Sequence, residues 1–588
     1  MKFVTLTNVS LLLLGAAVAE PIVYMIRHGE KPSDGSDGLS AEGEERAQCL
    51  TTVFGPSSSY NIGYILAEQP KSDGSRERPY ETVEPLAEEL GLTVDTSCDK
   101  TDEKCVKKAV EAYDGDGNIL ICWEHNELTL IAEKLGVDDA PDYPDDDFGQ
   151  IWTLPYPWDT ITAITDENCA GLGQEQDMTE SWFRLLESLR EEVKKIKALG
   201  SDVIPSITYK DIENGTLTEE QLNEIRHRGS VVIRGVVSKE TALEYKQKAR
   251  EYIAANKGRV NAFPKDDPAV YELYWTPSQV HARAHPSMIN TQKFLTKLWY
   301  SSNPLSQIST SNPLMYADRF RIRNPGDAKF ALGPHSDGGS LERWEDPEYR
   351  RCYSKILEGK WEEYDPFDAN HRILAHQDLY NGAGACSMFR FFQGWLSMSS
   401  TGPGEGTLKI CPLLKHATAY LMLRPFMTTG SIQALNAEFP GSVPSACQEY
   451  NNETHPDLDL ANTMCSVPHV EPGDYVAWHC DSIHSVDKEH HGKGDSSVLY
   501  IPVCPMTLPN VQYLVKQREA ALKYSPPPDF PGAGGVGEQG FTDQLDWNTV
   551  SIEGLQAMGM GSKPWNIDMS MSDGEKAVVE AANRKCFS

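Results

Sequence analysis

The residues best suited to chemistry are His335 and Asp337, in the stretch LGPHSDGGSLERW at 332–344. Two apart, they leave the same face of an extended strand. A second histidine from elsewhere would complete a set of two imidazoles and one carboxylate on one side of an octahedral metal. That set leaves positions open and suits ferrous ion. Two histidines compete for the third place, both in EPGDYVAWHCDSIHSVD at 471–487. His479 shares a strand face with Tyr475 and Ala477, and His484 follows the next turn between small residues. The bland alternative is that His335 caps a turn and His484 is a satisfied surface residue.

A second group of reactive side chains stands near the other end. MIRHGEKP at 25–32 follows an apolar run, and WEHNE at 123–127 closes another. The elements around them alternate. Ile22–Ile26, Ile62–Ala67, Leu92–Thr96 and Asn118–Trp123 read as strands. Ala41–Val53, Thr82–Leu90, Cys105–Tyr113 and Glu127–Leu135 read as helices, and Asp159–Asp166 as a last strand. This order predicts a parallel sheet with helices on both faces and a site outside the strands' carboxyl ends.

On those motifs, residues 20–170 resemble the histidine phosphatase (phosphoglycerate-mutase-like) superfamily. The resemblance implies that His28 is a nucleophile that becomes phosphorylated, with Arg27 as a bidentate phosphate ligand. Arg78, four residues before Thr82, matches the family's second arginine, and His125 its second histidine. The general acid is poorly marked, with Glu127 and Asp99 as candidates. Without it, the domain is equally a non-catalytic anion-binding module.

ENCAGLGQEQD, with two glycines and no periodicity, marks a boundary, and 171–181 reads as a linker. Trp182–Leu199 and Lys239–Ala254 have helical spacing around a β-rich stretch, 229–236. Beyond about 310 the chain turns to short strands: Arg319–Arg323, Phe389–Met398, Gly406–Cys411, Ala417–Leu423, Tyr475–His479 and Val498–Val503. These suggest a sandwich or barrel. Glu345–Asp368 reads as an insertion or lid. The aromatic residues Trp344, Tyr349, Trp361 and Tyr364 could line an entrance, though at this density such residues are more often ordinary packing. The stretch after Pro526-Pro527-Pro528 reads as a surface-wrapping extension.

Residues 182–535 resemble the Fe(II)/2-oxoglutarate oxygenases, whose double-stranded β-helix (a jelly-roll, cupin-like fold) places a liganding histidine about ten residues after a Gly-Asp turn. Closest is a bacterial and fungal family of unknown function described as non-haem iron oxygenases. GPHSDGGSLERW, FRFFQGWLSMS, GEGTLKICP, LRPF and PPPDFPG carry that match. The resemblance implies His335, Asp337 and His484 as metal ligands, with His479 a neighbour that packs or hydrogen-bonds. It implies Fe(II) with 2-oxoglutarate as cosubstrate, and oxidation of a substrate C–H bond. One departure stands out. The family's arginine after the distal histidine, which holds the cosubstrate's far carboxylate, is replaced by Lys488 and Lys493. Lysine would serve as a point charge rather than a fork. Arg321, Arg323, Arg343 and Arg390 are the alternatives.

The 588 residues are too many for one core. A net charge of -32 speaks against binding nucleic acid or anionic lipid, though not against small anions such as a phosphate ester. Thirteen cysteines, odd in number and without regular spacing, resemble neither a disulfide framework nor a zinc site; Cys98 and Cys105 are the best candidate bridge. Residues 1–19 read as a cleaved signal peptide ending Ala17-Val18-Ala19, too short to span a bilayer. That implies the secretory pathway or the extracellular space, with the cytoplasm as the alternative. The expected architecture is thus a leader (1–19), a three-layer α/β domain (20–170), a linker (171–181), a β-helix domain with flanking helices (182–535) and an extension (536–588). Small-molecule substrates are expected at both sites, and the oligomeric state is left open. A fusion of two neighbouring genes is the alternative reading of the whole chain.

Overall fold

The computed structural model describes residues 20–32, 35–145, 147–167, 169, 174–329, 331–382, 385–428, 431–432, 439–530 and 537–587. The expected leader lies outside them. No helix among the described residues is long and apolar enough to cross a membrane. The chain divides into two compact units after Gln176.

In the first unit, six strands form one sheet in the order β3 (Val94–Asp95), β2 (Ile62–Ala67), β4 (Asn118–Trp123), β1 (Val23–Arg27), β5 (Gln150–Leu154), β6 (Ala163–Asp166). β1 is buried along its whole length and β4 along nearly all of it, so both appear in the sequence as unbroken apolar runs. Helices α1 (Ala41–Val53), α2 (Arg78–Leu90), α3 (Glu103–Ala112) and α4 (His125–Leu135) alternate with them. The expectation of a fully parallel sheet needs correcting. β3, β2, β4 and β1 are parallel, but β5 is antiparallel to β1 and β6 to β5. β5 and β6 are joined by a short connection, and such a connection allows only antiparallel pairing.

Two disulfides lie in this unit, Cys98–Cys105 and Cys49–Cys169. The first spans seven residues, whereas the second joins cysteines 120 apart, which no local spacing could announce. The 171–181 linker also needs correcting: α5 runs Gln174–Leu199, so most of that join is helical.

The second unit is built on an eight-stranded sheet with the order β7 (Ser206–Thr208), β8 (Ser230–Arg234), β20 (Tyr475–His479), β14 (Phe392–Ser397), β22 (Ser496–Tyr500), β12 (Phe320–Arg323), β10 (Val270–Tyr271), β9 (Ala262–Phe263). A second sheet has the order β18 (Gln448–Glu449), β13 (His335–Ser336), β21 (His484–Val486), β15 (Leu408–Ile410), β19 (Cys465–Ser466). Two strand pairs complete the set, β11 (Ile308–Leu314) with β23 (Cys504–Thr507) and β16 (Met427–Thr428) with β17 (Ser431–Ile432).

Three expectations are decided here. Ala417–Leu423 belongs to a helix, Leu414–Leu423, whose described residues other than Lys415 are all buried. An apolar run without periodicity reads equally as a buried strand or a buried helix. For Trp344, Tyr349, Trp361 and Tyr364 the packing alternative holds over the entrance, since all four are core residues. The C-terminal extension is integral to the core: the helix Asp573–Cys586 packs Val578, Val579 and Ala582 with Leu314, Tyr316 and Leu514. Buried Glu538 accepts the backbone N–H groups of Tyr274 and Trp275 at 2.6 and 3.0 Å.

Candidate metal centre

β13 pairs antiparallel with β21 so that His335 stands directly opposite His484. Cross-strand partners approach within about 5 Å at Cβ, and here the ring centroids are 4.3 Å apart. Asp337 lies just past the end of β13. Its Oδ1 is 3.7 Å from His335 Nε2, and its Oδ2 is 4.0 Å from His484 Nε2. One donor atom from each residue falls within 4.8 Å of the others. These separations leave a central point roughly 2–2.5 Å from each donor, the reach of a first-row metal bond.

The imidazoles are oriented for that point. His335 Nδ1 meets the Gly333 carbonyl at 2.7 Å and His484 Nδ1 meets that of Ser482 at 3.1 Å. Each Nδ1–H donates to a carbonyl, leaving the Nε2 lone pair for a metal. Burial, reinforced by the neighbouring His335, holds His484 below the ordinary imidazole range. Burial opposes ionisation of Asp337, but the charges of His484, His335 and Arg390 keep its carboxyl below the ordinary range. Two imidazole nitrogens and a carboxylate oxygen are the donor set a divalent ion needs.

The turn after Asp337 depends on two glycines. Gly338 and Gly339 have φ of +81° and +78°, and a Cβ on Gly339 would sit 2.5 Å from the Gln377 carbonyl. Buried Arg343 locks this turn by donating to the Gly339 and Asp337 carbonyls at 2.7 and 2.8 Å.

The centre opens on a cavity of about 570 Å³, lined by Arg319, Arg321, Arg390, Gln393, Trp395, Trp478 and Phe530 among others. Of the expected anchors, Arg321 and Arg390 line it. The others do not, and those expectations are corrected. Arg323 is consumed by Asp327 at 2.6 Å and by the Asp487 carbonyl at 2.7 Å. Arg343 is spent on the turn, and Lys488 and Lys493 are exposed away from the cavity. Arg319 was not anticipated, although it alternates with Arg321 along the chain and so shares its face. His479 is a packing residue: it stacks on Trp299 at 4.6 Å, and its Nε2 meets the Pro366 carbonyl at 3.0 Å.

In the first unit, Arg27 and His28 stand at the carboxyl end of β1 and His125 opens α4 just past β4. The Gly29 N–H donates to Thr82 Oγ1 at 2.8 Å, tying the segment after β1 to α2. Residues 144, 145, 147 and 148 meet the expected phosphate ligands. Arg27 Nη1 donates to the Asp145 carbonyl at 2.7 Å and to those of Pro144 and Asp147, with its guanidinium over Phe148. His125 Nε2 is 2.7 Å from Asp145 Oδ1. Arg78 donates to the Gly38 and Ser36 carbonyls. His28 is buried and held neutral, its pKa near 3.

For the general acid, Asp99 is exposed and paired with Arg76 at 3.2 Å. Burial raises Glu127. Buried Glu68, just past β2, was missed, and burial pushes it up to about 7. No motif flanks it, so only its depth reveals it.

The family described as Gig2-like matches residues 159–560. Escherichia coli (strain K12) has an uncharacterized protein, YbiU, that is 34% identical over 418 residues, covering 69% of this chain and 97% of its own. The crystal structure of Candida albicans GlcNAc Inducible Gene 2 is 32% identical over 70% of this chain and 91% of its own, with a TM-score of 0.64. A Salmonella typhimurium LT2 protein, provisionally termed an oxidoreductase, is 30% identical over 66% of this chain and 94% of its own, with a TM-score of 0.60.

Proposed function

The chain belongs to the Gig2-like family, and for its second unit we propose a non-haem Fe(II), 2-oxoglutarate-dependent oxygenase that oxidises a C–H bond of a small molecule. The observation that carries this reading is the convergence of His335, Asp337 and His484 with both Nδ1 positions committed to carbonyls. The strand orders β20-β14-β22-β12 and β13-β21-β15-β19 agree with a double-stranded β-helix. The provisional name of the Salmonella relative points the same way.

The bound iron and cosubstrate would supply oxygen activation and C–H oxidation. The chain's own residues do the rest. His335, Asp337 and His484 hold the ion on one face. Arg321 is the best anchor for the far carboxylate of 2-oxoglutarate: it is buried, lines the cavity and stands opposite Val498 on β22, the strand after the distal histidine's. It thus replaces the expected arginine from the neighbouring strand. Trp395 and Trp478 give the cavity apolar walls that exclude water. Anaerobic Fe(II) titration with 2-oxoglutarate tests the reading: a weak visible charge-transfer band is expected, and its absence sinks it.

For the first unit we infer a histidine phosphatase-like site for a phosphate ester, with His28 as nucleophile, Arg27, Arg78 and His125 as phosphate ligands and Glu68 or Glu127 as proton donor. The strand-end placement of His28 and His125 and the Gly29–Thr82 bond support it. The alternative, a non-catalytic anion-binding module, is favoured by the Asp145 segment that already engages Arg27 and His125. Phosphate-ester hydrolysis abolished by His28→Ala separates the two. Peptides spanning 166–181 in a digest of native protein test whether both units are one polypeptide. Secretion depends on cleavage after Ala19, which N-terminal sequencing of native protein reads.

A further inference from the structure

We propose that the substrate of the metal-bearing cavity is a small organic acid whose carboxylate is held by Arg390 and Gln393. This rests on the oxygenase reading, and it comes from which charged groups around the cavity are already satisfied. The lining acids are engaged by the chain itself. Asp318 accepts from Arg319 Nε at 3.2 Å, Glu342 from the Ser340 N–H at 2.7 Å and Asp378 from the Gly382 N–H at 2.7 Å. Two of the lining cations, Arg390 and Arg319, keep terminal nitrogens open among the described residues. Among the described residues Arg390 makes no hydrogen bond, and its nearest charge is Asp337 Oδ2, 3.8 Å from Nη2. Arg319, with its guanidinium over the Phe530 ring at 4.5 Å, has no hydrogen bond at either terminal nitrogen among the described residues.

Gln393 is the second, independent observation. It is only 8% exposed and lines the cavity, and its side-chain nitrogen faces the Asp337 carboxylate without a well-formed hydrogen bond. A buried amide donor without a well-formed bond is destabilising, so a donor held open beside a cavity fits an acceptor that arrives with the ligand. Arg390 and Gln393 are three residues apart at the start of β14 and present N–H groups on the side of Asp337.

A metal ion on Asp337 would draw off the one negative charge near Arg390 and leave a half-buried guanidinium calling for an anion. Arg321 is the anchor already assigned to the cosubstrate. It registers with Val498, and Val498 with Ser397, four residues along β14 from Gln393. Four strand residues span about 13 Å, which separates the two cationic positions. A carboxylate on the Arg390 fork would hold the rest of the acid between the metal and the aromatic side of the cavity, where Phe530 and Trp395 lie.

The test is anaerobic calorimetric titration of the Fe(II)-loaded full-length protein with butyrate, phenylacetate and indole-3-acetate, each beside its uncharged amide. At least one acid is expected to bind about 10- to 100-fold tighter than its amide, the worth of a charge-assisted hydrogen bond. Arg390→Met should erase that preference and Gln393→Leu should reduce it, while the 2-oxoglutarate band with Fe(II) persists in both. Acids that bind no better than their amides overturn the proposal. So does an Arg390→Met protein that loses 2-oxoglutarate and keeps the acid preference. Absence of the iron band in wild type alongside an intact acid preference would instead sink the oxygenase reading and leave an organic-acid site.

Discussion

His335 and His484 are direct cross-strand partners, separated by nearly 150 residues of chain yet with ring centroids 4.3 Å apart. The β13–β21 register therefore sets the geometry of the candidate metal centre. A one-residue slip would turn one imidazole to the other face of the sheet.

Replacing His335, Asp337 or His484 with Ala should each lower Fe(II) affinity by about 100-fold or more and remove the 2-oxoglutarate band. His479→Ala should keep the band and lower the melting temperature, because it removes the Trp299 stack and leaves a cavity. Anaerobic titration and a thermal melt of the same samples read both effects. An intact band in His484→Ala with loss in His479→Ala would reverse the ligand assignment.

Arg321→Met should raise the Kd for 2-oxoglutarate by about 10- to 100-fold with Fe(II) affinity unchanged. Lys488→Ala and Lys493→Ala should leave it alone, because both side chains are exposed away from the cavity. Cosubstrate titration across the three variants decides between strand and loop anchors.

Arg343 touches none of the donor atoms, but its two bonds to the Gly339 and Asp337 carbonyls fix the carboxylate's direction. Arg343→Met should weaken metal binding by about 10- to 100-fold, as loss of outer support does at other metal sites. Arg343→Lys, which keeps a charge and one donor, should recover part of it. Equal affinity in all three proteins would reduce Arg343 to a packing residue.

Burial holds His479 near 3 and both His416 and His455 near 4. A base with a depressed folded pKa stays neutral in the fold and takes up its proton on unfolding. Between about pH 6.5 and 4 the unfolded chain therefore binds more protons, and each histidine costs up to about 1.4 kcal/mol of stability per unit fall in pH. Urea melts at pH 7, 5.5 and 4.5 should give steadily falling stability. A flat profile would mean these imidazoles are not neutral in the fold.

In the first unit, Asp145→Ala should free His125 Nε2 and remove a carboxylate whose charge acts on Arg27, while the backbone carbonyl bond to Arg27 stays. Inorganic phosphate should then bind severalfold tighter than to wild type. Unchanged or weaker binding would show that the Asp145 carboxylate does not compete with an anion.

What the sequence determined by itself was whatever short range controls. The two-residue step from His335 to Asp337, the turn glycines after it, and the reactive residues at the ends of β1 and β4 are properties of a few consecutive residues and their strand period. The tertiary structure alone decided which cations face the cavity. Arg319, Arg321 and Arg323 alternate along one stretch, and only Asp327 and the Asp487 carbonyl withdraw the third. It also decided that the apolar run at 417–423 is a helix, because burial on every side leaves no period to read. The Cys49–Cys169 bridge, the antiparallel β5 and β6 and the raised carboxyl of Glu68 belong to the same class. Each depends on a neighbour far away in the chain, and pairing and desolvation exist only once the chain has closed around them.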